Sequence, residues 1–418
     1  MKLLTKEDVE KHNKKNDCWI IINYKVYNLT NFMKNHPGGY DPMQIAGGDA
    51  THLFYSLHPK IVKNLINSES FIQKYYVGEI KTKCKSNFDH NTIFYNTLRD
   101  DVENELLKKN IPLRDNFLYK IYNIFIIFLF FVCYNFVFNK KTSNIYLMFL
   151  MIMLDFMISV GIAHEAHHGG ILKPKFYRWF IKYISLVTIN GGWSFYWMWD
   201  HNVLHHGYTN EKEDLNKFYS KSLRLSKYLP KIPIHKYQHL LAWFGYSVGL
   251  LYSKITIDFW ELTTIKTSFE DKLNHIVFKS IWYYLFWIHP IKNFGIGKLF
   301  ICIIYQLLVG LYFTTLFVIN HNQIENEFPK SKTTDWAKHE IITSSNYNSG
   351  NIVINLLTGG LNHQIEHHLF PSFSHHTYPI IHKIVKQKCL ENNILYNNYK
   401  TVFHAIYQHY QYLKKMGT

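Results

Sequence analysis

Residues 117–138, FLYKIYNIFIIFLFFVCYNFVF, form a 22-residue apolar run whose only charge is Lys120. As a helix, such a run rises about 33 Å, enough to cross the roughly 30 Å hydrocarbon core of a bilayer. A polar turn, NKKTSN, follows, and a second apolar run covers 145–163. Together they predict a helical hairpin that returns the chain to the side it left. Two further apolar runs, near 273–289 and 299–320, are joined by a Pro/Gly turn and read as a second hairpin, with Lys279 interrupting the first of them. Residues 176–199 and 237–252 are aromatic or amphipathic and are expected at the interface. Asp155, inside the second run, is expected to face the bundle interior, because a carboxyl in lipid is costly. The body is therefore an all-α integral membrane domain of about four transmembrane helices in two hairpins.

Residues 1–80 differ in kind. Strand-like runs at 19–23 and 25–28 alternate with polar helical stretches and Gly-rich turns, which predicts a small soluble α+β unit. The boundary is expected near 80–90, giving a unit over 1–82, a linker with an interfacial helix over 83–116, and the membrane body over 117–418.

The net charge of +16 suits an anionic membrane surface or nucleic acid. Lys and Arg are spread along the chain with no compact basic block, so the membrane is favoured and no nucleic-acid partner is expected. Lys108, Lys109, Arg114, Lys173, Lys175 and Arg178 flank one side of the first hairpin, against Lys140 and Lys141 on the other. That excess places the polar regions in the cytosol. The opening MKLLTKEDVEKHNKKND has no apolar core of a secretory signal, so the N-terminus is expected there too. Cys18, Cys84, Cys133, Cys302 and Cys389 form no CxxC pair, which suits a reducing compartment and speaks against a disulfide scaffold.

The chain has 25 histidines, and their positions carry the chemistry. HPGGY at 36–40 is followed by AGGDATHLF at 46–54 and by His58. A haem iron with two imidazoles, one on each face, is suited to electron transfer, and the glycines after His36 let the backbone turn tightly. This stretch resembles cytochrome b5. The resemblance implies haem b held by His36 and His58, with His52, between them, an exposed helical residue.

Three clusters remain: HEAHH (164–168), HNVLHH (201–206) and QIEHH (364–368). Each puts donors at i and i+3 or i+4, one face of a helix, while the neighbour in each HH pair points about 100° away and lets one cluster serve two metals. With this many histidines an HxxxH pair arises by chance about 1.5 times, HxxxHH about 0.1 times and QxxHH about 0.03 times. HxxxH alone is therefore weak, and His235 with His239 is assigned no role. All three clusters on one predicted membrane face are not chance. Imidazole suits iron among other metals.

WDHNVLHHGYTN at 199–210 and GGLNHQIEHHLFP at 359–371, together with the fused haem unit, resemble membrane fatty acid desaturases of the front-end class over nearly the whole chain. The resemblance implies two non-haem irons held by His164, His168, His201, His205, His206, Gln364, His367 and His368, with His321 in VINHN the best match for a further ligand. Two departures stand out. His167 is an extra imidazole in the first cluster, read as structural or supporting, and His363 makes its own HxxxHH, so whether His363 or Gln364 reaches metal stays open. His375 and His376 are read as structural.

The activity implied is O2-dependent insertion of a cis double bond into a long polyunsaturated acyl chain, between an existing bond and the carboxyl end (delta-4, -5, -6 or -8). Electrons would pass singly from an NADH-cytochrome b5 reductase through the fused haem. The acyl carrier, CoA or phospholipid, is open, and the bilayer is a further partner beside the reductase, the acyl substrate and O2. Endoplasmic reticulum residence follows from family and topology. Rival readings are a sphingolipid long-chain-base desaturase, a fatty-acyl hydroxylase and, from another class, a membrane-tethered haem electron carrier with inert histidines.

Overall fold

The computed structural model describes residues 2–33, 35–36, 43, 45–58, 60–81, 88–171, 174–217, 222–257, 262–263, 269–329 and 333–418. Residues 37–40 of the HPGGY motif, Pro59, Cys84, Lys173 and the expected boundary at residue 82 lie outside them.

The N-terminal unit is a five-stranded sheet in the order β1-β5-β4-β3-β2, built from β1 (Leu3–Leu4), β2 (Asn13–Lys14), β3 (Asp17–Ile22), β4 (Lys25–Asn28) and β5 (Tyr76–Ile80). β1 lies parallel to β5 and the other pairs are antiparallel. Asn23 and Tyr24, both at positive φ, make the tight β3–β4 turn, whose twist matches that of the flanking strands. Helix α1 (Lys6–Glu10) starts at a capping box between Thr5 and Asp8, which satisfies two orphan amides at once. Helices α2 (Thr51–Leu57), α3 (Lys60–Ile66) and α4 (Glu69–Tyr75) close the unit over a core that includes Ile20, Tyr27, Met33, Phe54 and Ile66.

Helix α5 (Ile93–Lys108) is N-capped by the Thr92 side chain. The expected interfacial helix of the linker is instead a core element: Tyr95, Leu98, Val102 and Leu106 are fully buried against Trp336, Ile365, Leu369 and Ile381. Its apolar residues recur at helical spacing, and here that stripe faces protein.

Helix α6 (Phe117–Phe138) and helix α7 (Ile145–His167) form the first hairpin. Asn116 and Asn144 cap them, each accepting a hydrogen bond from a backbone amide of the first turn. Phe117, Ile121, Ile124, Phe125 and Phe128 stand exposed along one stripe of α6, while Ile126, Phe130, Cys133 and Val137 are buried on the other. An apolar face turned outward over that length is what lipid contact requires. Asp155 does face inward, accepting hydrogen bonds from Ser159 (3.0 Å), Asn190 (3.0 Å) and Tyr305 (2.9 Å).

Helices at 175–190 and 194–205 follow and become α8 and α9. Only the first turns of α8 fit the expected interfacial stretch. Phe176, Trp179 and Phe180 are exposed, but 185–190 are buried. Helix α10 (Gln238–Tyr252) exposes Leu240, Leu241 and Phe244 and buries Ala242 and Tyr246. Helix α11 runs over 269–294 and α12 is Lys298–His321. Among the described residues three helices, α6, α7 and α12, are long and apolar enough to span a bilayer. The expected fourth span corresponds to α11, which forms as a helix but is too polar in its first half. Lys279 lies buried there, donating to the carbonyls of Lys254 (2.7 Å) and Gly191.

Further helices include α13 (Trp336–Ile342), α14 (Gln364–Leu369), α15 (Tyr378–Glu391) and α16 (Val402–Gly417). With α5 they build a cap over the C-terminal ends of α7 and α12. The short parallel pair β6 (Asn346–Tyr347) and β7 (Asn398–Tyr399) ties the segment before α14 to that before α16.

Candidate metal centre

The three clusters meet where α7 and α12 end. Gly359, at φ +56°, lets the loop before α14 cross α7 backbone to backbone: a Cβ there would lie 2.4 Å from the Gly161 amide nitrogen. That crossing brings the third cluster against the first. The second arrives on α9, whose segment Asp200–His205 is π-helical.

The π geometry alters the expected pairing. On an α-helix His201 would share a face with His205. Here the amide of His206 bonds to the carbonyl of His201 (3.0 Å), and their Nε2 atoms lie 3.2 Å apart. His205 turns the other way. Single π turns recur at functional sites because they re-aim side chains.

Two groups of buried donors result. His164, His168, His201, His206 and His367 form one, and His205, His321 and His368 the other; in each, one donor atom per residue lies within 4.8 Å of all the others. The HH pairs at 205–206 and 367–368 each divide between the groups, as their divergence on a helix predicts. Gln364 joins the second group, its amide nitrogen 2.9 Å from His321 Nε2. His363 does not reach it. Its ring accepts from the Gly350 amide (2.9 Å) and bonds Asn355 (2.9 Å). His167 also lies outside both groups, bonded to the Ala163 carbonyl (2.5 Å) and Ser194 Oγ (2.7 Å). His375 bonds Glu165 (2.6 Å), and His235 caps the Ile232 amide (3.1 Å), so neither is free for a metal.

The donor chemistry fits metal ions. His321 Nδ1 faces the Thr343 carbonyl (3.1 Å) and His368 Nδ1 faces Glu340 (2.5 Å). Neutral imidazole has one N–H, so His321, which spends it on that carbonyl, presents a lone pair at Nε2, 3.2 Å from Nε2 of His368. In the first group Nε2 of His164 is 2.8 Å from that of His201 and 3.1 Å from that of His168. Where both nitrogens carry lone pairs, they repel at this distance unless a cation sits among them. Ligands at right angles on a metal with bonds of about 2.1 Å stand about 3.0 Å apart. His367 Nε2 is buried without a hydrogen-bond partner, as an atom reserved for a metal would be. Burial first, and then the neighbouring imidazoles, push the basicity of His201, His206, His367 and His368 well below the usual histidine range. All four therefore stay neutral, the form that binds metal.

Two carboxylates hold these rings from outside. Asp214 accepts from His205 Nδ1 (3.0 Å) and from the Asn210 amide (3.0 Å). Burial alone would raise its pKa, but His205 and these hydrogen bonds outweigh that and hold the carboxyl below its ordinary value. Glu340 bonds His368 and also accepts from Thr209 Oγ1 (2.7 Å). Such partners fix the orientation of a ligand ring and raise its basicity. Sequence reasoning missed both. Asp214 sits in a polar loop eight residues past the second cluster and Glu340 on α13, and neither carries a spacing signal.

In the N-terminal unit, the His36 and His58 rings stand 5.9 Å apart between centroids. Two imidazoles bound at about 2.0 Å to one iron place their centres about 6 Å apart, so the pair fits a haem iron. The His58 Nδ1 bond to the Phe54 carbonyl (3.1 Å) leaves Nε2 free to face it. His52, expected to be exposed, is buried against α9 and the turn after it. Its ring packs beside Tyr208 and His90, and a Cβ on Gly207 would come within 3.0 Å of its Nε2.

A haem-type unit joined to a bundle of apolar helices with two buried histidine groups able to hold metal points to the class of membrane redox enzymes. Residues 142–400 match the family described as fatty acid desaturase, and residues 5–81 match the cytochrome b5-like haem/steroid-binding domain. The chain belongs to the fatty acid desaturase family and carries an N-terminal cytochrome b5-like domain; it is an oxidoreductase. It is 29% identical over 446 residues to the Delta(5) fatty acid desaturase A of Dictyostelium discoideum, covering 98% of this chain and 93% of that one. It is 28% identical over 450 residues to the acyl-lipid (8-3)-desaturase of Physcomitrium patens (100% and 92% covered), and 28% over 445 residues to that of Mortierella alpina (100% and 97%).

Proposed function

We propose that the protein is a front-end desaturase of long-chain polyunsaturated acyl lipids, with haem b between His36 and His58 and two non-haem irons in the histidine groups. His164, His168, His201, His206 and His367 would hold one iron, and His205, His321, His368 and Gln364 the other. The observation that carries this reading is the division of three sequence clusters into two adjacent groups of inward-pointing Nε2 atoms. The relatives named for Delta(5) and (8-3) desaturation support the acyl class. The units would divide as 1–82, 83–116 and 117–418, with α5 of the middle segment packed into the cap.

When bound, the irons supply O2 activation strong enough to remove hydrogen from an unactivated methylene, which acid–base residues cannot do. The overall change is balanced: one CH2–CH2 unit, O2, two electrons and two protons give one CH=CH unit and two waters. The chain's own residues aim the imidazoles through Asp214, Glu340 and the Thr343 carbonyl, while burial keeps them neutral. Burial of every box histidine keeps bulk water from the reacting carbons. Electrons would enter singly through the haem from an NADH-dependent reductase. The fused donor works at a high effective concentration without having to diffuse to the site. We place the haem unit and the metal cap on the cytosolic face of the endoplasmic reticulum, on the Lys/Arg excess beside α6 and α8.

The test is the fatty-acid profile of yeast expressing the chain and fed C18 and C20 polyunsaturated acids, beside a His205→Ala control. A new double bond on the carboxyl side of the existing ones, lost in the control, is expected, and its position gives the regiochemistry. Hydroxylated lipid, or unchanged acyl lipids with altered sphingoid bases, would overturn the reading.

A further inference from the structure

The haem unit is anchored to the metal cap by buried groups at both ends of one short helix. α2 ends at Leu57, immediately before His58. Its last carbonyls have no partner within the helix and carry the negative end of its dipole. α5 supplies a partner for the Tyr55 carbonyl, and Arg114, beyond the end of α5, donates Nη2 to that of Leu57 (3.4 Å). Arg99, 1% exposed, donates Nη1 to the Tyr55 carbonyl (3.0 Å) and to the Tyr95 hydroxyl (2.8 Å), and Nε to Glu103 (2.8 Å). The Tyr95 hydroxyl in turn donates to the Leu369 carbonyl (2.8 Å), at the end of α14 and next to His368. The Arg99 guanidinium also lies 5.9 Å and 5.7 Å from the ring centres of Phe370 and Phe373. At the other end of α2, His52 is seated against the turn after His206. There Gly207 leaves the space that any side chain would take.

We infer that Arg99 and Tyr95 form a latch that holds the haem helix α2 against the metal-box helix α14 and fixes the distance over which electrons cross between the two centres. Arg99 and Tyr95 are positioning residues: neither touches a reacting atom. The seam beside the latch is lined mostly by polar side chains: a cavity of about 280 Å³ bordered by Tyr55, Lys63, Asn64, Asn67, Asn91 and Asn96 adjoins Arg99. Electron-transfer rates fall steeply with distance, so a unit that rocks away from the cap delivers electrons more slowly even with both centres intact.

The inference about electron delivery rests on the desaturase reading; the docking part does not. Full-length protein loaded with haem and iron would be compared with Arg99→Met, Arg99→Lys and Tyr95→Phe, the last keeping the ring and removing only the hydroxyl. Two readouts are needed: hydrogen exchange of the α2 amides, and the rate at which haem reduced by NADH with added NADH-cytochrome b5 reductase is reoxidised on mixing with O2 and acyl lipid. Arg99→Met is expected to speed α2 exchange and slow reoxidation by about tenfold each, since a hydrogen bond from a charged group is lost. Tyr95→Phe should do less, and Arg99→Lys should recover part of the loss. Haem potential and iron content should not move. Unchanged exchange would overturn the latch, as would faster exchange with unaltered reoxidation, or loss of iron in Tyr95→Phe. If acyl lipid fails to speed reoxidation in the unaltered protein, that failure belongs to the desaturase reading, and the exchange result alone decides the docking.

Discussion

Gln364 stands where the other box positions carry imidazole, and its neighbour Asn320 shows what an amide does there. The Asn320 side chain donates to Gln364 Oε1 (3.2 Å), while its own Oδ1 is buried without a partner. Turning both amides over would aim Gln364 Oε1 at the gap beside His321 and satisfy Asn320 Oδ1 with Gln364 Nε2, the two amide ends being alike in shape. Gln364→Leu is therefore expected to lose the iron of the His321 group while keeping haem. Gln364→His should keep both, as metal analysis against haem absorbance would show. Asp214→Asn keeps the shape but offers His205 a weaker acceptor, so iron should bind about 10–100-fold more weakly, read by competition with a chelator. The clustered donor positions were legible in the sequence because paired histidines at helical spacing are rare by chance. Asp214 and Glu340 were not, since carboxylates that reach a ring from a distant loop or helix leave no local pattern. His52 was misread because an isolated haem unit would expose it; only the docked cap buries it.

At the scale of elements, the apolar spans were the clearest signal, since length and composition alone decide whether a helix can cross lipid. α11 shows the limit of that reading: a run with a lysine in its middle can form the helix without qualifying as a span. The π segment of α9 was hidden for a different reason. The sequence states which residues are histidine, whereas the register that pairs His201 with His206 depends on how α9 packs between its neighbours. α5 was hidden too, as an apolar stripe does not say whether lipid or protein covers it. The crossing at Gly359 gives a sharp expectation. Its positive φ is strained for any residue with a Cβ, at about 1–3 kcal/mol, and the 2.4 Å approach to Gly161 adds a backbone clash. Gly359→Ala should lower the unfolding temperature in detergent and reduce bound iron. Haem absorbance should be retained, because the haem unit does not depend on that crossing.

For the molecule as a whole, the hairpin and the cap fix which parts share a side of the membrane. α7 and α12 both end in the metal centre, so their starts lie at the far end of the bundle. Lys298, the first residue of α12, confirms that placement by donating to the Val137 carbonyl (2.9 Å) and to Ser143 Oγ (2.7 Å), both beside the α6–α7 turn. The turn at 139–144 must therefore face the compartment opposite the haem unit. With the haem unit on the cytosolic side, as we propose from the charge asymmetry around α6, that compartment is the lumen. An epitope inserted between Lys141 and Thr142 is thus expected to survive protease added to sealed microsomes, while epitopes at the N-terminus and after Thr418 are digested. Alkaline carbonate should leave the protein in the membrane pellet and detergent should release it, as its three spanning helices require. Digestion of the 139–144 epitope in sealed vesicles would put the turn on the same side as the haem. The first hairpin would then have to be re-entrant, with the histidine groups built above a bundle that does not cross the bilayer.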